Sequence, residues 1–150
     1  MREILFRGQT RRKGEKVRMN GSPIESNWVY GGVFCGSGDH SIIYQTEPNI
    51  EKKVVYTDTL GQFTGLTDKN GVKIFEGDIV LITKNTVTDV VAKIFYSEGA
   101  FRTNAANTYD GEEPLSFWLA NDCDFEVISN VYDNPELIQE NNYGAKMTKQ

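Results

Sequence analysis

Hydrophobic positions in this chain fall in short alternating runs, not in long helical stripes. Residues 3–7 alternate weakly. Residues 28–35 alternate large groups with glycine. Ile42-Ile43-Tyr44 and Val54-Val55-Tyr56 are β-branched and aromatic. Ile79-Val80-Leu81-Ile82 is a short apolar run bounded by turn residues. Residues 87–96, the stretch opening at Ala100-Phe101-Arg102, and residues 116–120 and 125–132 continue the pattern. Each reads as a strand, because side chains of a strand alternate between its two faces and bulky branched groups pack well there. No amphipathic stripe at helical spacing runs long enough for a bundle.

Turn chemistry separates these runs. Residues 8–27 are polar, with Gly14, Gly21 and Pro23, and read as a long hairpin or loop. Pro48-Asn49 and Ser97-Glu98-Gly99 mark further turns, and residues 104–114 read as a surface loop. The densest signals lie within residues 62–80. Asn70-Gly71 predicts a tight primed turn between incoming residues 64–69 and outgoing 72–75, because both residues accept positive φ. Glu76-Gly77-Asp78 predicts a second turn, with Gly77 at positive φ.

Asn134-Pro135-Glu136 is a helix-start signal: Asn caps, Pro fits the first turn, and Glu suits the positive end of the dipole. One short turn, to Ile138, is the most helix expected. Residues 139–150 read as a flexible polar tail. The fold expected is mainly β: a small antiparallel β-barrel with additional N-terminal strands. Residues 1–138 form one domain, with a possible N-terminal β subdomain at 1–58, a joint near 58–61 and the barrel at 62–138.

Composition narrows this picture. The chain has 150 residues, 39% hydrophobic and 25% charged, which suits one globular domain with a core. No apolar run approaches bilayer-spanning length, and the start lacks the apolar core of a secretory signal. A cytoplasmic location without membrane contact is the expectation. Cys35 and Cys123 are the only cysteines and His40 the only histidine. Small buried thiols are expected, with no structural zinc and no cofactor.

The net charge of −5 is uneven, since residues 1–20 hold seven basic and two acidic residues. An acidic body repels a nucleic-acid backbone. A basic segment attached to it could pair with a neighbouring subunit.

The run from Gln62 to Val80 resembles the core signature of the YopX family, small proteins of phages and prophages. Arg2-Glu3-Ile4-Leu5-Phe6-Arg7-Gly8 looks like the family's opening strand, and Trp28-Val29-Tyr30-Gly31 like its Trp-x-Tyr-Gly element. Residues 126–137 resemble its closing motif, with Ser129 where the family usually has Gly. The structural signature residues are Trp28, Gly65, Asn70, Gly71, Glu76, Gly77, Asp78, Asn134 and Pro135. The resemblance implies a mostly β fold, a phage or prophage origin and oligomeric assembly. It implies no activity and supplies no catalytic residue.

Candidate interaction residues are Arg7, Arg11, Arg12, Lys13, Lys16 and Arg18, whose cations could neutralise phosphates or face an acidic subunit. No aromatic interleaves residues 9–27, so base stacking gains nothing there. Asp68, Glu76 and Asp78 lie close along the chain and could hold a cation or exchange protons. Turn geometry explains them more simply. Trp28, Tyr30, Phe34, Phe95, Phe101, Phe117 and Trp118 are expected in the core, with Phe117 or Trp118 pointing away. The leading expectation is a non-enzymatic protein that acts by homo-oligomer assembly and contact with a phage or host protein. Nucleic-acid binding through residues 7–18 is the alternative, and a carboxylate enzyme site is the third.

Overall fold

A computed structural model describes residues 3–12, 27–36, 38–84, 88–105 and 112–138. Lys13, Lys16, Arg18, most of the loop expected at 104–114 and the tail at 139–150 lie outside the described residues. The chain divides into two compact units, Met1–Gly65 and Leu66–Gln150. The division falls inside a strand, a few residues after the joint expected at 58–61.

The first unit contains β1 (Phe6–Arg11), β2 (Asn27–Phe34), β3 (His40–Gln45), β4 (Glu51–Tyr56), a 3-10 turn at Thr57–Thr59, and the start of β5 (Gly61–Thr67). The strands are ordered β4-β3-β2-β1-β5, and the β1–β2, β2–β3, β3–β4 and β1–β5 pairs are antiparallel. Alternation in β2 sends Val29 and Val33 inward. They join Ile43 and Val55, with Phe6 and Leu60 packed alongside. Gly31 is required by close approach: a Cβ there would meet the Tyr44 carbonyl oxygen at 2.0 Å. Gly31→Ala should therefore destabilise this unit by about 1–3 kcal/mol. A lower urea midpoint at unchanged slope is the expected readout.

The second unit contains β6 (Lys73–Phe75), β7 (Asp78–Lys84), β8 (Thr88–Ser97), β9 (Ala100–Ala105), β10 (Glu112–Pro114), α1 (Leu115–Ala120) and β11 (Asp124–Asn130), ending in a 3-10 turn at Pro135–Ile138. β6 hydrogen-bonds to β5, and the remaining strands form a sheet ordered β10-β9-β8-β7-β11. The β7–β8, β8–β9, β9–β10 and β7–β11 pairs are antiparallel. The fold is thus mainly β, with no closed barrel among the described residues. Val80, Ile82, Ala92, Ile94, Trp118 and Phe125 build its core.

One expected strand is a helix. Residues 116–120 lie in α1. Pro114 precedes it in extended conformation, and Leu115 and Trp118 are buried at i, i+3 spacing on one side. That spacing favours a helix, while six residues are too few to show a period. Asn134 precedes the short 3-10 turn at Pro135–Ile138, at the place its start signal marks. Its side chain accepts from the Ser129 hydroxyl and donates to Glu136 at 2.9 Å.

Candidate interaction surfaces

The carboxylates at the turns are engaged by the backbone. Gly71 has φ of +81°, whereas Asn70 does not have positive φ. Asp68 N–H donates to the Val72 carbonyl at 2.7 Å, and Gly71 N–H to the Asp68 carbonyl at 3.0 Å. This is a three-residue hairpin loop with its glycine left-handed, in place of the two-residue primed turn expected.

The Asp68 carboxylate organises it. One oxygen accepts from Asn70 N–H at 2.8 Å and Val72 N–H at 2.9 Å. The other accepts from Val127 N–H of β11 at 2.9 Å. Lys69 adds a bond from its N–H to the Phe125 carbonyl, 2.9 Å, and a 3.7 Å ion pair to Glu126. Burial acts to raise the Asp68 pKa. The N–H groups of Val127, Val72 and Asn70, with the Lys69 charge, outweigh it and hold the pKa below the ordinary carboxylate value.

Asp78 is buried and accepts from Phe75 N–H at 2.7 Å. Between them Gly77 has φ of +92°, donates to the Ile94 carbonyl at 2.8 Å and accepts from Val131 N–H at 2.8 Å. A side chain at Gly77 would strain that backbone. Glu76 is half-buried. Among the described residues, no group of three or more His, Cys, Asp or Glu side chains converges to hold a metal ion.

The basic segment is split by its strand. Arg7 departs from expectation: it is buried, with its guanidinium 4.5 Å over the Trp28 ring. Arg11 and Arg12 are exposed. Arg12 forks onto both oxygens of Asp58 at 2.9 Å and lies 4.3 Å over Tyr56. It rims a cleft of about 320 Å³ that Asp39 and His40 also line. His40 opens β3. Across the whole of Met1–Gly65 the sequence carries nine Lys and Arg against seven Asp and Glu, and across Leu66–Gln150 seven against fourteen.

Two aromatic groups expected inside are outside: Tyr30 and Phe34 on β2 are 43% and 62% exposed. Tyr44 on β3 is exposed as well, at 43%. Cys35 is exposed too, and Cys123 is half-buried. In the second unit Trp118 is buried, and its indole N–H donates to the Thr103 hydroxyl at 2.7 Å. Phe117 meets that indole edge-on, with ring centroids 5.2 Å apart, yet remains 42% exposed. Phe117 forms one wall of an apolar cleft of about 200 Å³, with Ile82, Val90, Trp118 and Cys123 and the polar Thr83, Lys84 and Asn121. Leu119, also on α1, is 45% exposed.

A hairpin held by a buried aspartate, together with antiparallel sheets, defines a small, mainly β protein. The chain belongs to the YopX family, whose match covers residues 22–139. It is similar in structure to protein EF1440 from Enterococcus faecalis, at 23% identity and a TM-score of 0.49, over 93% of this chain and 100% of that one. No curated protein matches it. Among the described residues no helix is long and apolar enough to cross a membrane.

Proposed function

We propose that this chain is a non-enzymatic phage or prophage protein that acts by assembly, two copies meeting through the α1 surface of the second unit. The observation that carries this reading is the exposed Phe117 at the wall of an open apolar cleft. Large exposed apolar groups lining an open concavity are the features of a buried interface. A two-fold contact uses the same patch twice, so the cleft walled by Phe117 in each copy is covered by the α1 surface of the other. Lys84 lines that cleft and offers a cation to the acidic second unit of its partner.

Phe117→Glu tests the seat. The substitution changes an exposed helix position and leaves Trp118 in the core. It is expected to turn the assembled protein into a monomer by light scattering, without loss of folded circular dichroism. An assembly untouched by Phe117→Glu removes this seat.

A second reading, nucleic-acid contact through Arg11 and Arg12, draws on their exposure and on the basic balance of Met1–Gly65. Because Arg12 already forks onto Asp58, its charge is partly spent within the unit. Affinity that stays flat across a salt series rejects this reading, since displaced counterions make phosphate contact steeply salt-dependent.

A further inference from the structure

The outer face of the first sheet leaves open space above one glycine among aromatic groups. Gly32 is exposed on β2, and a Cβ built there would meet no atom within 4 Å. Tyr30 and Phe34 flank it on the same face, two residues to either side, since side chains of a strand alternate. Register places Tyr44 of β3 directly across from Gly32. All three rings are exposed.

The spacing gives this opening a ligand. Side chains two apart on a strand are separated by roughly 6.6 Å. Tyr30 and Phe34 stand two residues either side of Gly32, so their attachment points span about twice that. Stacked bases rise by roughly 3.4 Å each. A glycine floor walled on three sides by aromatic rings therefore admits flat rings against those faces.

We propose that this slot binds single-stranded nucleic acid, its bases stacking on Tyr30, Phe34 and Tyr44 above Gly32. Charge selects that occupant over an aromatic side chain of another protein. Lys52 stands directly opposite Tyr44, with its ammonium over one face of that ring at 5.9 Å from the centroid, a cation at the edge of the slot for a strand's phosphates. Met1–Gly65 carries two more basic than acidic residues, the sign of charge that a phosphate backbone favours. Aromatic platforms with adjacent cations bind unpaired strands because every base offers a π-face. The site shares a ligand class with the arginine reading above and uses different residues.

Gly32→Val is the decisive variant. It fills the slot while leaving the three rings in place, and valine suits an exposed strand position with open space above it. The probe is a fluorescein-labelled fifteen-nucleotide deoxythymidine strand, read by anisotropy at low salt. The natural chain is expected to bind it, and Gly32→Val and Phe34→Ala each to weaken binding about tenfold, the usual effect of losing one stacked base. Unfolding temperature should not fall in Gly32→Val.

Equal binding by the natural chain and Gly32→Val overturns the proposal, as does no binding by the natural chain. If Arg11→Ala with Arg12→Ala alone weakens binding, the arginine reading stands and the slot falls. If Gly32→Val instead lowers the mass in light scattering, the slot holds a second copy and the proposal is overturned.

Discussion

Trp118→Ala is expected to destabilise the second unit by about 3–5 kcal/mol, the range for removing a large buried aromatic. Two losses combine. The indole leaves a cavity among Ile82, Val90 and Cys123, which line the same cleft. The Thr103 hydroxyl, fully buried and donating to the Glu113 carbonyl at 3.0 Å, loses the indole N–H it accepts. Trp118→Phe separates these contributions: it keeps most of the packing and deletes the hydrogen bond, for a loss nearer 1–2 kcal/mol. Urea unfolding of both variants checks the pair, and a Trp118→Ala midpoint equal to the natural one contradicts this placement of α1.

Asp68→Asn is the second large effect, about 3 kcal/mol, because hydrogen bonds to a charged acceptor are stronger and a stranded donor is costly. An amide supplies one acceptor oxygen, so it serves either the Asn70 and Val72 pair or Val127. Its NH₂ group would then face an N–H donor. Thermal unfolding should fall by several degrees, given the few degrees per kcal/mol typical of this size.

The same carboxylate gives an acid limit. Its folded pKa lies below the ordinary value, so the ionised form is favoured by folding. The resulting stability is present above the unfolded pKa of about 4. It is lost as pH falls through the folded value. Asp68→Asn should therefore flatten the decline in stability of the natural chain below pH 4. An undiminished decline would place the acid-sensitive group elsewhere.

The turns were legible in the sequence because they use residues with few alternatives. Gly77 and Gly71 take positive φ, as their neighbours predict. Asp68 and Asp78 bond nearby N–H groups, as turn aspartates do. The bond from Val127 to Asp68 spans 59 residues, and no local pattern announces it. Asn70-Gly71 marks the hairpin but not its loop type, since a two-residue and a three-residue loop both accept glycine at positive φ.

The outward aromatics of β2 were misplaced for a different reason. Alternation separates Val29 and Val33 from Tyr30 and Phe34, but both faces are apolar. The closer packing of Gly31 under Tyr44 sets the small residues inside. In α1, Leu-Ser-Phe-Trp-Leu-Ala offers less than two helical turns. Its exposed Phe117 was legible only as one of two neighbours that cannot both be buried.

Assembly by contact is tested most directly by absolute mass in solution, from light scattering on the full chain across protein concentration, at low and high salt. A defined oligomer that persists at high salt, and falls to the mass of one chain in Phe117→Glu, is the predicted result. A mass of one chain at every concentration and both salts contradicts assembly.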